Sequence, residues 1–247
     1  MINIKTRKEI QIMAEAGQIL AQIMKKIAEQ IKPGIKTIEL DELAERLILE
    51  SGSTPSFKGY DGFPNSLCVS INEEVVHGLP SDRVLKIGDM ISFDLGLCYQ
   101  GYQADMARTA VVGRPNKLQK KLIKVTKQAL DAAIKYAKPG NHIGDIEWIT
   151  QDIAESNGFN VVRELCGHGI GKEIHEEPQV LNFGKRGTGP EIKPGMVICI
   201  EPMVTVGSWQ LEKAKDGFAY KTTDNSLACH FEDMIAITSK EPKILTR

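Results

Sequence analysis

Five residues of this 247-residue chain could together bind metal: Asp94, Asp105, His168, Glu201 and Glu232. The four acids lie in or beside aliphatic, strand-like runs. Asp94 follows Met90-Ile91-Ser92-Phe93, and Glu201 follows Met196-Val197-Ile198-Cys199-Ile200. Glu232 precedes Asp233-Met234-Ile235-Ala236-Ile237, and Asp105 sits inside the run from Gly101 to Thr109. An isolated carboxylate is costly to bury unless a cation compensates it. Taken singly, each acid reads as one half of a salt bridge at a strand end. Taken as a set, with His168 in Cys166-Gly167-His168-Gly169-Ile170-Gly171, they point to metal. A closed structural zinc site recruits cysteine and histidine, whereas four carboxylates with one imidazole suit harder divalent ions such as manganese, iron(II) or cobalt. Two such ions about 3.5 Å apart can share and acidify a water and clamp a carbonyl oxygen, which gives hydrolysis without a covalent enzyme intermediate.

The elements that must position these residues follow from periodicity. Thr6 and Glu9 have capping-box spacing, and apolar residues recur at helical intervals from Ile10 to Ile31, which predicts a helix over residues 6–31. Lys32-Pro33-Gly34 breaks it, and Thr37 is a candidate cap for a second helix that stops at Gly52. The same grammar returns: a helical pattern from Asn116 to Ala137, Lys138-Pro139-Gly140, then a short helix over Gly144 to Ser156 and Gly158. The match suggests an internal duplication. Runs rich in β-branched residues at 67–76, 90–95, 109–112, 161–165, 196–200 and 234–238 predict strands. Paired helices beside mostly antiparallel strands indicate an α+β fold, with helices on one face and a site on the other.

Composition narrows the class further. The chain is long enough to bury a full core, and its net charge of −1 supplies no overall field for nucleic acid or an anionic membrane. The charged, amphipathic N-terminus contains neither a secretory apolar region nor a membrane span, which predicts a cytoplasmic protein. Five cysteines, 68, 98, 166, 199 and 229, are odd in number and without CxxC spacing, which predicts reduced structural thiols.

The ordered set Asp94, Asp105, His168, Glu201 and Glu232 resembles the five-ligand signature of the methionine aminopeptidase and prolidase superfamily, the pita-bread fold. Gly59-Tyr60-Asp61-Gly62-Phe63-Pro64, Ser70 to Gly78 and His175-Glu176-Glu177-Pro178 resemble the type I methionine aminopeptidases within it. The resemblance implies one catalytic domain over 1–247, a pseudo-symmetric antiparallel sheet with outer helices and halves near 1–112 and 113–247. It implies two divalent ions (cobalt, manganese, iron(II), zinc or nickel), with Asp94 on one, His168 and Glu201 on the other, and Asp105 and Glu232 bridging. Glu201 is the implied proton acceptor. His77 and His175 would contact the scissile peptide, and Phe57, Tyr60, Phe63, Cys68, Ile174 and Phe218 would line the methionine pocket. The implied partners are N-terminal Met-peptides and nascent chains, with transient ribosome contact through the catalytic domain, and the chain is expected to be a monomer without membrane or specific nucleic acid. The implied activity is removal of the N-terminal methionine when the second residue is small.

The resemblance also has departures. At Ile174 and Phe218 the type I family commonly has phenylalanine and tryptophan, which implies a wider pocket here. Glu232-Asp233-Met234 replaces the usual Glu-His-Thr, and Ala104 to Thr109 leans toward the prolidase branch. An Xaa-Pro peptidase therefore stands as the alternative. A non-catalytic binding protein of the same fold is the other, opposed by the intact ligand set.

Overall fold

A computed structural model describes residues 1–247. Four helices pack on a set of antiparallel sheets: α1 (Arg7–Gln30), α2 (Thr37–Glu50), α3 (Lys117–Tyr136) and α4 (Ile143–Ser156). The Thr6–Glu9 capping box is formed in both directions, Glu9 N–H donating to Thr6 Oγ1 and Thr6 N–H to Glu9 Oε2. α2 departs from expectation at its start. Lys36 occupies the cap, its N–H donating to Glu39 Oε2, and Thr37 begins the helix. The Thr37 hydroxyl instead donates to the Ser81 carbonyl and accepts from the Ser81 N–H, which ties α2 to a neighbouring loop.

The two Lys-Pro-Gly turns are anchored alike. Gly34 N–H donates to Leu85 O and Gly140 N–H to Ile192 O, while Leu85 N–H returns to Ile35 O and Ile192 N–H to Asn141 O. Each helix pair then covers its own sheet. Met13, Leu20 and Ile27 of α1 and Leu40 and Ile48 of α2 pack with Leu67, Ile91, Phe93 and Leu95, all essentially inaccessible. Leu122, Leu130 and Ala133 of α3 and Ile146 of α4 pack with Ile198, Ile200, Cys229 and Ile235. Burial of this kind contributes about 25 cal/mol per Å² of apolar surface and outweighs any single polar contact. Gly17 allows the closest helix contact: a Cβ there would strike the Leu245 carbonyl.

The first sheet carries a long hairpin, Met90–Tyr99 with Tyr102–Val111, flanked by Leu67–Ile71 and Thr54–Pro55. Gln100 (φ 51°) and Gly101 (φ 80°) make its two-residue turn, both left-handed, which matches the twist of the strands. The expected 67–76 strand is two strands, because Asn72 adopts φ 61° and turns the chain before Glu74–Val76. The second large sheet has the order Lys243–Ile244, Asp233–Ala236, Val197–Ile200, Cys166–Gly169, Glu176–Leu181. Two three-stranded sheets complete the fold, one from Ala228–His230, Met203–Thr205 and Asn160–Val161, the other from Leu211–Lys213, Tyr220–Thr222 and Glu74–Val76. All five cysteines are free; Cys98 and Cys166 are partly exposed and the other three buried. No helix is long and apolar enough to cross a membrane.

Candidate metal centre

The two large sheets meet where the acids lie. Asp94 stands in the middle of the Met90–Tyr99 strand, opposite Ala107 and Cys68, and Asp105 stands on the other hairpin arm opposite Gly96. Glu201 immediately follows Val197–Ile200, Glu232 immediately precedes Asp233–Ala236, and these strands pair. His168 faces Cys199 across the next ladder. The junction is closed by backbone: Glu232 N–H donates to the Ala107 carbonyl at 3.0 Å. Thr109 Oγ1 accepts the His230 N–H at 3.0 Å and donates to the His230 carbonyl at 2.7 Å.

Arg108 reinforces that junction. Its guanidinium donates to the carbonyls of Ala107 and Glu232 and, at 2.7 Å, to Asp233 Oδ1, while Arg247 Nε donates to Asp233 Oδ2 at 2.8 Å. The Asp233 side chain is 0% exposed. The two places where the sequence leans toward prolidases are thus partners in one ion pair, and both face away from the cavity, since neither residue lines it.

That cavity has a volume of about 540 Å³. Asp94, Asp105, His168, Glu201 and Glu232 line it together with His77, His175, Phe57, Tyr60, Phe63, Cys68 and Phe218. Ile174 does not reach it. Its side chain is buried in the core beneath α1. Phe63 and Phe218 meet edge to face with ring centroids 5.6 Å apart, and Phe57 lies over Gly96, where a Cβ would come within 2.8 Å of the ring. The Tyr60 hydroxyl is 3.0 Å from His175 Nδ1, and the His175 ring stands edge-on to His168 at 4.4 Å. His77 has φ 59°, a costly conformation for a residue with a side chain, and its ring lies 5.9 Å from that of Tyr220. Sequence reading missed Asp61, Leu165, Lys213 and Tyr220 on the wall. His230, ambiguous in the sequence, is 1% exposed and lies beside Glu201. Two-residue spacing from Glu232 on an extended chain, which puts both side chains on one face, was the available signal.

The electrostatics call for cations. Burial, then the neighbouring carboxylates, pushes Asp105, Glu201 and Glu232 well above the usual carboxylate range. Burial pushes Asp94 up to about 6. Lys213 is the only lysine or arginine on the cavity wall, and Asp94 Oδ1, Asp105 Oδ1 and Glu232 Oε1 are buried without a hydrogen-bond partner. Oxygen atoms of Asp94, Asp105 and Glu232 lie within 4.8 Å of one another, as do donor atoms of Glu201, His230 and Glu232. Unmatched buried oxygens converging in this way fit divalent cations and little else. His168 Nδ1 bonds the Gly169 carbonyl at 2.9 Å, which turns Nε2 toward Glu201, and burial holds the ring down to about 3. Each of His77 and His175 opens to the cavity on one side. Desolvation by the wall behind lowers both, with His77 brought to about 4 also by the charges of His230 and His175.

An oxygen-rich polyacidic centre at the base of a cavity walled in part by aromatic rings fits a metal-dependent hydrolase, and comparison with known proteins agrees. A profile of metallopeptidase family M24 matches residues 11–239, and the chain belongs to that family. Within it the chain stands with the methionine aminopeptidases. It is 47% identical over its full length to methionine aminopeptidase 1 of Bacillus subtilis, covering 100% of that protein. The crystal structure of methionine aminopeptidase from Thermotoga maritima superposes with a TM-score of 0.98 at 43% identity, each chain fully covered. The prolidase of Pyrococcus horikoshii gives 0.81 at 29% identity, and this chain spans 63% of it.

Proposed function

We propose that the chain removes the N-terminal methionine from peptides and nascent proteins whose second residue is small, and that Asp94, Asp105, His168, Glu201 and Glu232 hold the divalent ions it needs. The observation that carries the reading is the convergence of two buried carboxylates, Asp105 and Glu232, two half-buried ones, Asp94 and Glu201, and one imidazole on a cavity walled by Phe57, Tyr60, Phe63, Cys68 and Phe218. Asp94 would hold one ion and His168 and Glu201 the other, with Asp105 and Glu232 placed to serve both. The ions, when bound, supply Lewis acidity toward the scissile carbonyl and make a water acidic enough to attack at neutral pH.

The chain's own groups do the rest. Glu201 accepts the proton of the attacking water and returns it to the departing amine. The Tyr60 hydroxyl lies 3.0 Å from His175 Nδ1, and a His175 proton on Nε2 would donate to the oxygen that becomes negative. His77, strained at φ 59° and neutral at working pH, holds the peptide unit beyond the scissile bond. The thioether of methionine packs against the edges of Phe63 and Phe218, a contact that needs no polar partner. We also assign cytoplasmic location, transient ribosome contact and a monomeric state to this activity.

The test is a series of Met-X-Ser peptides with X as glycine, alanine, leucine and phenylalanine. Release of methionine is expected to fall by more than about tenfold from alanine to leucine, a steric discrimination worth at least about 1.4 kcal/mol. Equal release across the series would refute the small-residue rule. His175→Ala is expected to lower kcat about 10²-fold or more, with little change in KM.

A further inference from the structure

Two imidazoles flank Glu201. His168 Nε2 lies 3.8 Å from Oε1, and His230 Nε2 lies 3.3 Å from Oε2. His168 belongs to the ligand set described above; His230 does not. Yet His230 is 1% exposed, and neither of its ring nitrogens has a hydrogen-bond partner. A neutral imidazole carries one N–H donor and one lone pair, and buried polar atoms in native structures are almost always matched. Nothing in the surrounding protein supplies the match, although the backbone is pinned on both sides by Thr109 and paired with Met203. Nor is Glu201 a partner for a conventional hydrogen bond, since the Nε2–Oε2 approach leaves Nε2 unsatisfied.

The 3.3 Å separation has a different meaning between metal ligands. Bonds of about 2.1 Å put two donors on one ion roughly 3.0–3.4 Å apart when the angle between them lies from a right angle to tetrahedral. Donor atoms of Glu201, His230 and Glu232 also lie within 4.8 Å of one another. We propose that His230 is a sixth protein ligand of the metal centre, binding through Nε2 an ion that it shares with Glu201 and Glu232. The proposal rests on the metal-centre reading of the site and deepens it. A second imidazole makes that half of the centre richer in nitrogen, and nitrogen donors favour iron(II), cobalt and zinc over manganese. His230 thereby biases which metal the protein selects.

The full chain, stripped of metal and reloaded with cobalt(II), provides the test. Coordinated imidazoles give hyperfine-shifted N–H resonances in the proton spectrum, and two are expected from the unaltered protein, from His168 and His230. His230→Gln is expected to remove one of them. It should weaken cobalt affinity about 10- to 100-fold in a competition titration, with a smaller loss for manganese. A single shifted imidazole signal in the unaltered, cobalt-loaded protein would overturn the proposal whether or not the variant folds. Two signals that both persist in a folded His230→Gln protein would overturn it as well. Failure of the protein to take up cobalt at all would instead remove the metal-centre reading beneath it.

Discussion

Replacing Arg108 by methionine should expose how the two sheets are locked together around the acids. The guanidinium holds the Glu232 carbonyl and, at 2.7 Å, the Asp233 carboxylate, which is 0% exposed and shared with Arg247. Removing one partner of a buried ion pair costs about 3–5 kcal/mol, because a charge stays buried without compensation. Arg108 is itself 23% exposed and Arg247 continues to face Asp233, so the lower end of that range applies here, about 3 kcal/mol. In a chain of this length each kcal/mol moves Tm by about 2–4 °C, giving an expected fall of roughly 6–12 °C. Differential scanning calorimetry of the metal-free protein measures it. Arg108→Met combined with Asp233→Leu should recover part of the loss, with a coupling energy of at least about 1 kcal/mol in the double-mutant cycle. A Tm within about 2 °C of the unaltered protein, or additive effects in the cycle, would refute the clamp. The same variants bear on substrate choice. If Arg108 and Asp233 act only on the sheet junction, neither change increases cleavage of Ala-Pro-Ser relative to Met-Ala-Ser.

Other outcomes follow from the same geometry. Asp105→Asn removes one of four mutually repelling acids, so it should raise the Tm of the metal-free protein at neutral pH while reducing metal-dependent cleavage more than about 100-fold; a fall in metal-free Tm would contradict the repulsion argument. In the metal-free protein, Asp94 has its pKa raised to about 6, so the folded state binds the extra proton and this contribution to stability grows as pH falls from above 6 toward the ordinary 3.8; calorimetry across that window should show the Asp94→Asn variant losing this slope. Gly96→Ala drives a methyl group into the Phe57 ring, so KM for Met-Ala-Ser should rise severalfold with metal stoichiometry unchanged, and an unchanged KM would detach Phe57 from the pocket. Glu9, held down to about 2 chiefly by the Thr6 N–H, contributes stability that is present above the ordinary 4.5 and is lost as pH falls toward 2; a carboxyl titration by NMR with a midpoint near 4.5 would contradict that cap.

Much of the fold was legible because its signals are local. Capping-box spacing, the two Lys-Pro-Gly breaks and helical apolar intervals placed four helices to within a residue or two. Strands were harder. The short pieces Met203–Thr205, Leu211–Lys213 and Tyr220–Thr222 carry too few residues for a period of two to show, and they exist because a partner strand lies beside them. The acids were legible as a set because carboxylates inside aliphatic runs break a strong burial rule, and the structure brings all four together with His168. What depends on contacts across the chain was not legible. Arg108 and Asp233 look like two separate departures until the structure pairs them across 125 positions. His230, two residues before Glu232, is ambiguous in the sequence until its unmatched nitrogens are seen beside Glu201. Ile174 enters the pocket set through the resemblance alone, and the structure packs it into the core beneath α1, off the cavity wall.

The central claim, that the buried acids hold the ions which make this chain a methionine-releasing enzyme, is met most directly by a metal titration. Chelator-stripped protein would receive cobalt(II) in steps while methionine release from Met-Ala-Ser and alanine release from Ala-Pro-Ser are followed together. Methionine release is expected to rise with added metal, saturate at a fixed small number of ions per chain, and exceed alanine release throughout. Release that ignores the metal, or a preference for Ala-Pro-Ser, would contradict it.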